Sequence, residues 1–115
     1  MNSLVRDNFK SPTSTEKKLD EAGMASLLKQ FPDWRLSTLD NIARLERSFS
    51  FGNFSSALTF ANRVGALADD MNHHPTMLIE WGKCTITWWT HSHGGLLHND
   101  FIMAAETDRI FNENS

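Results

Sequence analysis

Between Phe54 and Met71 the apolar residues return every three or four positions: Phe54, Ala57, Leu58, Ala61, Val64, Ala68 and Met71. That is the repeat of an amphipathic helix, and it predicts about five turns with one buried stripe. Asn53 stands where it can cap the first turn. At the other end Asn72-His73-His74-Pro75 stops the helix, because proline cannot continue it and biases His74 toward extended backbone. Upstream, IARLERSFSF (residues 42–51) alternates, with Leu45, Phe49 and Phe51 on one side and Glu46, Ser48 and Ser50 on the other. This is the pattern of a half-buried strand. Trp34-Arg35-Leu36 reads as a shorter strand, and Asp40-Asn41 as the turn between the two.

A first helix is predicted over residues 15–30 from Leu19, Ala22, Leu27 and Phe31, with Thr13 and Glu16 at capping-box spacing and Pro32 beyond its end. Met77 to Trp81 and Cys84 to Thr90 read as strands joined by a two-residue turn at Gly82-Lys83. After the loop HSHGGLLHN, Asp100 to Phe111 reads as a last helix. The order α-β-β-α-β-β-α predicts an α+β fold, a four-stranded antiparallel sheet with helices on one face.

Length and composition narrow the class. The chain has 115 residues, 40% hydrophobic and 22% charged. These values predict one domain over residues 13–115 after a loose lead-in at 1–12. No apolar run approaches a membrane span, and the polar N-terminus offers no signal peptide. A net charge of −3 argues against a nucleic-acid groove, and one cysteine, Cys84, excludes an internal disulfide. A cytoplasmic location is expected. Residues 64–115 hold only two Lys/Arg against seven Asp/Glu, so the C-terminal half is acidic.

That acidic half also contains every histidine: His73, His74, His91, His93 and His98, within 26 residues. Three chemistries compete for them. His73 and His74 could simply end a helix, where imidazoles suit the last carbonyls. His91 and His93 would share a face if the strand ran past Thr90, and with His73 or His74 could chelate a metal as in a zinc hydrolase. No HExxH or paired CxxC supports that reading, and no metal is expected. The third chemistry is metal-free proton transfer, for which imidazole is suited at neutral pH. Asp69, one helical turn before His73, and Asp100, if it folds back, would be the supporting carboxylates that tune the imidazoles by favouring their protonated form.

The spacing Asp69, His73-His74-Pro75, Trp81, His91, Asp100 resembles the signature of the pterin-4a-carbinolamine dehydratases. Phe49, Phe51 and Phe54 resemble the family's Phe-x-Phe-x-x-Phe segment, Gly95-Leu96 its Gly-Leu pair and Trp34 its early tryptophan; the resemblance spans about residues 15–112. It departs at Asn72, where an aspartate is common, and at Leu97, where many members carry Ser or Thr. The resemblance implies dehydration of a 4a-hydroxytetrahydropterin to quinonoid dihydropterin, in tetrahydrobiopterin recycling. It implies no cofactor, the pterin being the substrate. His73, His74 and His91 would be catalytic, with His73 and His91 the acid–base pair and His74 mainly positioning the pterin. Asn72, Pro75, Thr90, Ser92 and Trp81 would contact the substrate, with Trp81 or Trp89 offering an aromatic wall. His93 and His98 are expected to be incidental. A homodimer or homotetramer is implied, and coupling to an aromatic amino acid hydroxylase. Animal members also act as dimerisation cofactors of a homeodomain transcription factor.

Overall fold

A computed structural model describes residues 15–113. The predicted lead-in at 1–12 and Thr13 lie outside these residues. The chain runs α1 (Glu21–Leu28), β1 (Arg35–Leu39), β2 (Ile42–Ser50), α2 (Phe54–Met71), β3 (Thr76–Glu80), β4 (Lys83–Trp88), a 3-10 turn (His91–His93) and α3 (His98–Glu113). The four strands form one antiparallel sheet, as the order of elements predicted, and their order in it is β1-β2-β4-β3.

Local chemistry explains most element ends. Asp40 and Asn41 both take positive φ, a conformation these side chains tolerate, and the turn sets Leu39 opposite Ile42. Asn53 caps α2 by accepting the N–H of Ser56 at 2.7 Å. α1 is shorter than the predicted 15–30. Asp20, rather than the upstream Thr13–Glu16 pair, caps it by accepting the Gly23 N–H at 2.8 Å. The β3–β4 turn is shifted by one residue from the expected Gly82-Lys83. Glu80 pairs with Lys83, so Trp81 and Gly82 make the turn, and Gly82 takes the positive φ that a side chain would resist.

The sheet has one covered face. Leu45 and Phe49 of β2 and Cys84, Ile86 and Trp88 of β4 are buried there beneath the helices, with Ala57, Phe60, Ala61, Val64, Leu67 and Ala68 of α2 and Phe101, Met103, Ala104 and Ile110 of α3. Phe54 and Leu58, expected on the buried stripe of α2, are exposed instead, and Phe60 and Leu67 take their place. Phe49 is the centre of an aromatic cluster, its ring 4.7 Å from Phe60, 5.0 Å from Phe111 and 6.0 Å from Trp34. The chain's aromatic residues are thus spent largely on its own core. Arg47 also faces inward and ties β2 to α3 through Asp108 at 2.6 Å, an acceptor shared with the Trp34 indole. Burial raises the Asp108 carboxyl above its usual range, against the pull of Trp34 and Arg47.

Two outcomes follow. Phe49→Ala should cost about 3–5 kcal/mol of folding stability in urea titrations, because it empties the middle of the aromatic cluster. Burial pushes the Cys84 thiol from 9.0 up to about 11. The unfolded thiol ionises first, so Cys84 lowers stability as pH rises from about 9 through 11. At pH 8 a thiol reagent should therefore label Cys84 only as fast as the protein unfolds; prompt labelling in native buffer would contradict its burial.

Candidate active site

The end of α2 determines where the first two histidines go. Asn72 adopts a left-handed conformation (φ 51°, ψ 43°), its N–H bonding the Asp69 carbonyl at 3.3 Å while the His73 N–H bonds that of Ala68 at 3.1 Å. This paired closure is a Schellman motif, with Asn serving where glycine is commonest. It turns the chain so sharply that the adjacent imidazoles diverge. The His73 side chain is 11% exposed and directed inward, whereas that of His74 is 56% exposed.

His73 Nε2 lies 2.7 Å from Oδ1 of Asp100, a residue with no solvent exposure. The second oxygen of that carboxylate, Oδ2, accepts the Thr90 hydroxyl at 2.8 Å and the Leu97 N–H at 2.9 Å. Asp100 is thus the return half of a capping box for α3, reaching back to the N–H of the capping position occupied by Leu97. One carboxylate joins the end of α2, the end of β4 and the start of α3. The contact holds the His73 ring, which also stacks on Trp88 at 5.6 Å and 10°.

Asp69 pairs with His74, not with His73 as the helical spacing suggested; the distance is 2.9 Å from Oδ1 to Nε2. The reason is the helix end itself. Because the chain reverses at Asn72, the i, i+4 relation does not extend to His73. Both members of the His74–Asp69 pair are largely solvated, so it holds a geometry more than it adds stability.

His91 follows Thr90 directly and opens the 3-10 turn; its ring packs on Trp89 at 4.3 Å. The strand does not run past Thr90, so His91 and His93 do not share a strand face as the chelating reading required. Among the described residues no three of His, Cys, Asp and Glu stand close enough to hold a metal ion. Ser92 bonds its neighbour, Oγ to His93 Nδ1 at 2.7 Å, and His98 is an exposed residue at the start of α3.

Thr90 has little left to offer a ligand. Its hydroxyl serves Asp100, its N–H bonds the Gly95 carbonyl at 2.8 Å, and its carbonyl accepts the His93 N–H at 3.2 Å. Its observed part is to close the loop. Pro75 is half-buried between His74 and β3. Trp81 is 75% exposed in the β3–β4 turn, at the opposite end of β3 from His74, and takes no part in the cluster within this chain. Trp88 and Trp89 are both buried, one against His73 and one against His91. A groove of about 440 Å³ between Ser50–Gly52, the start of α2 and Phe111 contains no histidine and lies at the Trp81 end of the sheet.

Sequence reasoning missed two contributors, the Leu97 N–H and Arg44. The guanidinium carbon of Arg44 lies 4.0 Å from the centroid of the Trp89 ring. The β2 alternation already placed Arg44 on the face opposite Leu45, and the register Leu45 to Trp88 would have set it across from Trp89.

The family described as Pterin 4 alpha carbinolamine dehydratase matches residues 17–110, and the chain belongs to it. A curated Marinobacter nauticus protein named "Putative pterin-4-alpha-carbinolamine dehydratase" is 42% identical over 111 residues, covering 96% of this chain and all of the relative. A solved Brucella melitensis structure, described as a transcriptional coactivator/pterin dehydratase, has 29% identity and a TM-score of 0.73, covering 82% of this chain and 98% of that one. A pterin dehydratase-like protein described as a RuBisCO assembly factor of the alpha-carboxysome shares the fold, with 21% identity and a TM-score of 0.57 over 69% of this chain and 89% of that one.

Replacing Asp100 tests how the cluster is built. Asp100→Ala leaves the Leu97 N–H and Thr90 hydroxyl unpaired in the interior and should cost about 2–4 kcal/mol in chemical denaturation. Asp100→Asn, which can still accept both, should cost less than half as much.

Proposed function

We propose that this protein dehydrates 4a-hydroxytetrahydropterins by histidine acid–base catalysis without a cofactor. The observation that carries the reading is the buried carboxylate of Asp100, which holds the His73 ring in one place. Membership of the dehydratase family supplies the substrate class.

The reaction asks for two proton movements. The C4a–O bond breaks as a proton reaches the departing hydroxyl, which leaves as water. The N5–H proton goes to a base, and the electrons released at N5 form the N5=C4a double bond of the quinonoid dihydropterin. One imidazole can deliver the first proton while another collects the second, restoring both for the next cycle in exchange with solvent. His73 and His91 take these two tasks. His73 is fixed by Asp100, while His91 is exposed on the far side of Thr90 and keeps access to water. His74, solvated and held by Asp69, positions the pterin. Asn72, Pro75 and Ser92 border the histidines in the chain and complete the rim, with Thr90 acting as the brace beneath it. Regeneration of a tetrahydropterin for an aromatic amino acid hydroxylase, in a cytoplasmic homo-oligomer, is the setting this reading implies.

The test is a coupled assay in which 4a-hydroxytetrahydropterin is generated enzymatically and its loss followed optically. Wild-type protein should accelerate dehydration over the spontaneous rate. His73→Ala and His91→Ala should each reduce kcat about 100-fold, the low end of what a general acid or base contributes. His74→Ala should act mainly on KM. A His91→Ala protein as fast as wild type would sink the assignment of the pair, and no acceleration by wild type would sink the reaction itself.

A further inference from the structure

We propose that Arg44, stacked on Trp89 beside His91, receives an oxyanion carried on the C6 side chain of the substrate, so that the preferred pterin is an anionic one. The inference rests on the pterin reading of the histidine site and names the substrate class within it.

Arg44 stands apart from the other described arginines. Arg35 meets Glu46, Arg47 meets Asp108, Arg63 meets Glu113 and Arg109 meets Glu106. Arg44 makes no ion pair or hydrogen bond with the described residues, although acidic residues outnumber basic ones 14 to 11 in the chain. Its Nε is buried without an acceptor, the one such side-chain nitrogen or oxygen among the described residues. An arginine in this condition calls for a partner. What holds it is the indole of Trp89, and a guanidinium lying on an aromatic ring keeps its N–H groups in plane for a carboxylate or phosphate.

The position suits the reaction. The same indole that carries the guanidinium also carries the His91 ring. In a pterin, C6 is bonded to N5 and N5 to C4a, so the side chain leaves the ring next to the edge where the protons move. A group anchored at Arg44 would therefore hold that edge near His91. The bicyclic ring itself has no negative charge at neutral pH, so the anion must belong to the side chain. Trp89 then acts as a platform: it fixes the cation on one contact and the imidazole on another.

Calorimetric binding of stable 7,8-dihydropterins tests this directly, with a 6-hydroxymethyl, a 6-phosphonooxymethyl or a 6-carboxyl side chain. Wild type should bind one of the anionic forms at least about tenfold more tightly than the alcohol, the scale of one charge-assisted hydrogen-bonded pair. The tighter of the two identifies the oxyanion. Arg44→Gln should bring that ratio to near one, and Arg44→Lys, which keeps the charge without the planar fork, should retain only part of it. Melting curves confirm that each variant is folded. Equal binding of all three pterins by wild type, or a preference that survives in Arg44→Gln, overturns the proposal. So does inorganic phosphate binding as tightly as the ester, which would make Arg44 an anion site unconnected with the pterin. A protein that dehydrates the neutral substrate but ignores side-chain charge refutes the role of Arg44 alone; one that prefers the anionic pterin yet accelerates no dehydration refutes the reaction alone.

Discussion

A single carboxylate joins this fold to its chemistry. Asp100 has no contact with solvent, and its two oxygens take up donors from three separate parts of the chain: the imidazole after α2, the hydroxyl after β4 and the backbone at the start of α3. A charge so placed is costly to bury alone and is tolerated because every direction around it offers a donor. The exchange works both ways. The helix start, the loop closure and the His73 ring are each positioned by the same group, so none can shift without unpairing the others.

The architecture was largely legible in the sequence because sheets and amphipathic helices obey periods. The alternation of Leu45 and Phe49 with Glu46 and Ser48 located β2 and its covered face, and Asn53 and Pro75 marked the limits of α2 and its exit. Errors arose where a competing local interaction decided the outcome. Asp20 captured the Gly23 N–H and started α1 six residues later than the apolar spacing implied. The β3–β4 turn moved by one residue because Gly82, rather than Lys83, satisfies the positive φ. Phe54 and Leu58 lie on the flank of the stripe that Ala57, Phe60, Ala61, Val64, Leu67 and Ala68 define, and those side chains stay uncovered.

The site was legible as a set of residues and not as a set of contacts. Membership in the family's spacing gathered His73, His74, His91, Asp69 and Asp100, but the pairing depended on a backbone reversal that periodicity does not encode. Asp69 was matched to His73 by counting along a helix that ends two residues short of it. Thr90 was placed at the site for its capacity to bond a ligand, and the structure uses that capacity internally. Arg44 escaped notice because its significance lies in what it lacks among the described residues, a carboxylate partner, and only the three-dimensional arrangement shows that.

The left-handed turn at Asn72 has a bearing on how this lineage can drift. A backbone at φ 51° admits glycine, asparagine and aspartate readily and penalises β-branched side chains, whatever the residue does for a ligand. An exchange between asparagine and aspartate next to the histidine pair therefore keeps the fold while changing the local charge by one. That position is a place where descendants can retune the charge beside the histidine pair without rebuilding the helix end. A restricted alphabet found there among relatives would record the geometry of a helix end before it recorded anything about catalysis.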